Sequence, residues 1–153
     1  MKTATDRKRI GLMRRYRGLI KKLGISEEER LQMLSDNYGV ESSKDLYIEE
    51  LEHLCNVLQS DANKKEIKIQ EARKRVFGAV GGWLDILYGY ERSEARKAKI
   101  KAIACRQTEY KDFNKIPLER LANISFLFSK KQKDFKRGEI LLETELQTLA
   151  YLN

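Results

Sequence analysis

The sequence predicts an all-α protein of six or seven helices in two small lobes. Apolar residues recur at three- and four-residue steps in every long segment, Pro117 is the only proline in 153 residues, and no run of alternating β-branched residues appears. A chain of this length can bury most of its apolar surface without a metal or disulfide. Its 41% hydrophobic and 35% charged residues describe a folded core under a heavily charged surface.

The first helix is expected over Lys8–Leu23, with Ile10, Met13, Tyr16 or Arg17, Ile20 and Leu23 on one side, arginine and lysine elsewhere, and Gly24 just past its end. In the following "GISEEERLQML", Ser26 and Glu29 form a capping box, and Glu27, Glu28 and Glu29 lie where a helix dipole favours negative charge. That acid cluster is therefore explained by the fold. Gly39 marks a turn, Ser42 and Ser43 cap the short turn Lys44–Leu46, and a third helix over Ile48–Gln59 carries Leu51, Leu54, Cys55 and Leu58 in one stripe. The polar stretch Ser60–Lys65 is expected to be a hinge. It separates residues 1–60, a basic helix with an acidic helical pair, from a C-terminal helical lobe over 61–153.

A longer helix follows over Glu66–Tyr88, with Ala72, Val76, Val80, Trp83 and Leu87 on one side and Trp83 expected to be buried. It contains "FGAVGGW", whose glycines each cost about 1 kcal/mol relative to alanine in a regular helix. Gly78 and Gly82 share a face, which predicts close approach of another helix, that of Ala98 and Ala102, or else a kink near Gly81 and Gly82. Neither glycine-rich phosphate-loop pattern is present. Ser93 caps a basic helix over Glu94–Thr108. A connection over Glu109–Ile116 leads to Pro117 in the first turn of the last helix, with Leu118, Leu121, Ile124, Phe128 and Phe135 down one face and Phe128 expected to be buried. The connection is longer than the three- or four-residue turn of a DNA-reading helix-turn-helix.

Charge alternates in blocks: +8 over residues 1–23, −8 over 24–63, +7 over 64–106 and +1 over 107–153. The basic helices can dock on the acidic segment or face an anionic partner. Two clusters are candidate nucleic-acid contacts. One holds Arg7, Lys8, Arg9, Arg14, Arg15, Arg17, Lys21 and Lys22; the other holds Arg73, Lys74, Arg75, Arg96, Lys97, Lys99 and Lys101.

Chemistry is harder to find. The single histidine, His53, lies two residues from Cys55, so on a helix the two side chains diverge and do not chelate together. No nucleophile–base pair can be assembled, and no catalytic residue, metal site or cofactor is expected. Cys55 and Cys105 fall in apolar helical patterns that suit reduced, buried thiols. No apolar run approaches the roughly 18 residues that span a bilayer, and the N-terminus lacks a signal-peptide core, so a cytoplasmic location without membrane contact is expected.

"KKLGISEEERLQMLSDNYGVESSKDLYIEELEHL" together with "IKAIACRQTEYKDFNKIPLERLANI" resembles the GemA-like regulatory proteins of Mu-type transposable bacteriophages and related prophages. The resemblance covers roughly residues 8–135 and is most specific at Leu23–Arg30, Ser42–Leu46 and Ile100–Arg106. It implies a small phage or prophage protein, acting in the bacterial host cell, associated with modulation of host gene expression and without catalytic residues to carry over. Two functional classes follow. One is a regulator that binds nucleic acid through the basic helices. The other is an adaptor that binds a host or phage protein through the acidic helices or through Phe126, Phe128 and Phe135, without DNA contact.

Overall fold

The computed structural model describes residues 3–89 and 93–151. Among them are five α-helices and one short 3-10 helix, with no strand: α1 Ala4–Leu23, α2 Glu27–Tyr38, α3 Ile48–Tyr88, α4 Glu94–Thr108, the 3-10 turn Phe113–Lys115, and α5 Leu118–Tyr151. The all-α class agrees with the sequence. The expected six or seven helices do not, because the third and fourth predicted helices are one.

Ser60–Lys65, expected as a hinge, is the uninterrupted interior of α3. The polarity that suggested a linker is the solvent face of a helix. Ala62 points inward and is 1% exposed. Gln59 Nε2 donates to Asn63 Oδ1 at 3.0 Å, one turn away, and Lys64 pairs with Asp61 at 3.8 Å. Without glycine or proline, nothing in the stretch opposes helix. The chain nonetheless divides into two compact units, Met1–Ile67 and Lys68–Asn153, and α3 contributes to both.

In the first unit, α1 begins four residues earlier than the periodicity indicated, because Thr3 caps it. The Thr3 hydroxyl accepts from the Asp6 amide at 3.1 Å, and the Asp6 carboxylate accepts from the Thr3 amide at 3.0 Å. The same reciprocal pair opens α2, with the Glu29 amide donating to Ser26 Oγ at 3.2 Å and the Ser26 amide to Glu29 at 2.8 Å. Gly24 and Gly39 end the two helices at φ 70° and 65°, a conformation a side chain disfavours. The core they enclose packs Leu12, Tyr16 and Leu19 of α1 against Leu34 of α2 and the Leu51, Leu54 and Leu58 stripe of α3.

In the second unit, Val76, Val80 and Leu84 of α3 meet Ile100 and Ala104 of α4 and Leu121, Ile124 and Phe128 of α5. Phe113 and Ile116, in the connection between α4 and α5, are buried with them. Phe128 is buried. Trp83 is only half-buried, with its ring edge-on to Phe135 at 6.2 Å.

The glycines of α3 correct a second expectation. The helix is continuous through them, and a side chain at Gly78 would meet nothing within 4 Å. Ala98 and Ala102 are exposed. Close approach occurs instead at Gly81, where a Cβ would lie 2.9 Å from Arg96 Nη2 and 3.4 Å from Ile100 Cδ1, and at Gly82, against Gln132. On a helix, position 78 lies almost opposite Val76 and Val80, so the core-facing residues leave it in solvent.

Candidate nucleic-acid interface

The buried stripe of α1, Leu12, Tyr16 and Leu19, leaves the opposite side of the helix to solvent. At 100° per residue, Arg7, Arg14 and Lys21 lie directly opposite it, with Arg15 and Lys22 along one flank and Arg17 along the other. All six are exposed, and none makes an ion pair among the described residues. Adjacent charges spaced by one or two turns form a ridge about 20 Å long, sufficient to meet several phosphates. Gly11 and Gly18 also lie on this outward side, with open space around each.

Lys8 and Arg9 differ from their neighbours. Lys8 Nζ pairs with Glu52 at 2.8 Å, and the carboxylate's hydrogen bond holds the ammonium pKa above its ordinary value. Half-buried Arg9 donates to the Lys44 carbonyl. These two cations tie α1 to α3 and to the turn before it, and among the described residues Lys8 is the one cation of α1 in an ion pair.

The second unit gathers part of its cluster. Arg73, Lys74 and Lys101 line a groove of about 360 Å³ floored by Phe77 and Phe113, whose rings meet edge-on at 5.6 Å. Lys97 borders the adjoining cavity beside Phe77. Arg73 Nη2 donates to the Asn114 carbonyl at 2.7 Å, and Lys97 pairs with Glu94 at 2.8 Å on the surface. Of the remaining three cations, Arg96 borders the same cavity as Lys97, and Arg75 and Lys99 are elsewhere. Arg75 lines a separate groove with Lys68 and Leu118, Lys99 stands 5.5 Å above the Tyr88 ring, and part-buried Arg96 bonds Asp85 at 2.7 Å. Arg96 therefore holds α4 on α3, through the space that Gly81 leaves open.

His53 is exposed while Cys55 is buried, with its thiol 3.6 Å from the Leu12 carbonyl and its pKa pushed up by burial. No cluster of metal-ligating side chains occurs among the described residues. No helix among them is long and apolar enough to cross a membrane.

Sequence reasoning missed a second basic constellation in the first unit. Arg30 of α2 and Lys44 of the turn before α3 join Arg17 and Lys21 of α1 around a cavity of about 410 Å³. Arg30 and Lys44 are isolated cations within the acidic segment, where they carry no local signal. No family model, curated protein or solved structure matches the chain.

Proposed function

We propose that the chain is a non-enzymatic phage or prophage regulatory protein that binds nucleic acid through its basic helices and so modulates host or phage gene expression. The observation that carries this reading is the outward face of α1: exposed cations at one- and two-turn spacing, uncompensated by the acidic residues that follow in sequence. Surface charges in a fold-stabilising role are expected to pair, as Lys8 does. Phosphate contacts from such a face give affinity without base readout. The groove around Phe77, basic and part aromatic, adds a second contact surface in the other unit. Equilibrium binding of random-sequence duplex DNA at two salt concentrations tests the proposal. A steep loss of affinity with salt supports it, and no binding at low salt contradicts it.

The alternative, an adaptor that acts on a protein without DNA contact, draws on a different observation. Ile140, Leu141, Leu142, Leu146 and Leu149 of α5 are 58–64% exposed, and Phe126 is 73% exposed. Phe135, Leu142 and Leu149 continue the seven-residue spacing of the buried Leu121 and Phe128, a pattern suited to a second helix. Lys130, Lys131, Lys133, Lys136 and Arg137 precede Glu139, Glu143 and Glu145, so a second copy of this chain laid antiparallel would match opposite charges. Concentration-dependent dimerisation, lost on Leu142→Glu with Leu149→Glu, assigns this face to self-association; a monomer that also fails to bind duplex DNA at low salt supports an adaptor for a host or phage protein.

A further inference from the structure

We propose that the first unit carries a binding pocket for a phosphate monoester, in the cavity between α1, the first turn of α2 and the turn at Ser42–Lys44. Four cations from three segments converge there: Arg17 and Lys21 on α1, Arg30 on α2, and Lys44 on the turn. The one lining carboxylate, Glu27, is already held by Arg30, whose Nε donates to Oε2 at 2.9 Å and whose Nη2 donates to Oε1. Arg17, Lys21 and Lys44 make no ion pair among the described residues. The wall is also held in place. Arg9 donates to the Lys44 carbonyl, and the Lys44 amide donates to Ser42 Oγ at 3.3 Å.

The second observation is Tyr16, which lines the cavity and is 2% exposed. Its hydroxyl is buried without a hydrogen-bond partner. It lies beside the Arg30 guanidinium, near enough for each group to influence the other's ionisation but outside hydrogen-bond geometry, and burial holds its pKa above the ordinary value. A buried hydroxyl left unpaired is unfavourable, and such groups call for a partner. Ser43, the buried polar residue of this core, is on the same wall.

A phosphate monoester carries about −1.5 to −2 charges and three strong acceptor oxygens at neutral pH. It matches three uncompensated cations and three hydroxyl-bearing side chains, Tyr16, Ser42 and Ser43, better than a singly charged diester does. The size of the cavity also falls within the range of small-ligand sites. Two sources share this chemistry: a mononucleotide, and the 5′-phosphorylated end of a nucleic-acid strand.

The test titrates the full chain with inorganic phosphate, a 5′-mononucleotide, and single strands with either a 5′-phosphate or a 5′-hydroxyl, all at ionic strength matched with chloride. Phosphate is expected to raise the unfolding midpoint where chloride does not, and the 5′-phosphorylated strand to bind roughly tenfold more tightly than its 5′-hydroxyl counterpart. A mononucleotide that matches the phosphorylated strand identifies the free nucleotide as the source; a tighter strand identifies the nucleic-acid end. Lys44→Gln should weaken phosphate binding a few-fold. Tyr16→Phe should weaken it roughly fivefold while the midpoint without ligand holds or rises, a combination that a purely structural hydroxyl would not produce. Phosphate no more effective than chloride, or unchanged affinity in both variants, overturns the proposal. Tyr16 and Lys44 lie outside the outward face of α1, so this result is separable from the fate of duplex binding.

Discussion

Gly11 and Gly18 sit in the interior of α1, where each lowers helix stability by about 1 kcal/mol relative to alanine. Nothing in the fold accounts for them, since an added Cβ would meet no atom within 4 Å at either position. They are seven residues apart, hence on one face and about 10 Å apart along the axis. Gly11 has Arg7, Arg14 and Arg15 one turn away, and Gly18 has Arg14, Arg15, Lys21 and Lys22. In the proposed nucleic-acid complex, missing side chains at these points would let a phosphate backbone come close to the helix. Replacing both by alanine should therefore stabilise the free protein by up to about 2 kcal/mol. For a unit of this size each kcal/mol raises the midpoint by about 4–8 °C. The same double variant should bind duplex DNA several-fold more weakly. Thermal unfolding followed by circular dichroism and a DNA titration, run on one preparation, measure both quantities. A loss of stability would mean the glycine face is covered within the fold; unchanged DNA affinity would refute the close approach.

Other outcomes follow from packing and ionisation. Gly78→Ala should stabilise by about 1 kcal/mol, whereas Gly81→Ala should give no such gain because its methyl displaces Arg96 from Asp85; paired denaturation curves check this. Glu109 closes α4 at φ 60°, a left-handed conformation that costs a non-glycine residue about 1 kcal/mol or more, so Glu109→Gly should raise the denaturation midpoint. Asp6 and Glu29 are held below their ordinary pKa values of 3.8 and 4.5, by hydrogen bonds from the Thr3 side chain and backbone and from the Ser26 backbone and side chain respectively. A lowered folded pKa contributes stability that is present above the unfolded value and lost as pH falls through the folded one. Acid titration of stability should thus show a fall below about pH 4 that is shallower in the Asp6→Asn, Glu29→Gln double variant, which removes both titrating carboxylates; identical acid limbs would contradict the assignment.

Much of the architecture was legible because its signals are local. The Ser26 capping box, the Gly24 and Gly39 ends, and the whole of α4 from its Ser93 cap to Thr108 follow from a few neighbouring residues. The errors concern context. A polar run such as Ser60–Lys65 reads alike as a linker and as the outside of a helix, and it is the burial of Ala62 that distinguishes them. The role of Gly81 depended on where the Arg96 side chain runs. Of the candidate sites, the ridge on α1 was visible because periodicity alone places Arg7, Arg14 and Lys21 opposite the core. The pocket at Tyr16 was not, since its cations come from three segments brought together only by folding.

The most direct test neutralises Arg14, Arg15 and Lys22 together, three exposed cations without ion-pair partners. If the outward face of α1 contacts phosphates, affinity for random duplex DNA should fall for all sequences alike, and the slope of log affinity against log salt should flatten by about 2.7 units if all three contacts are lost. The unfolding midpoint should stay within a few degrees of the parent, because the ion pair that docks the helix is Lys8 with Glu52. An unchanged salt slope accompanied by lost stability would contradict the account, since it would make these cations part of the fold and not of a nucleic-acid interface.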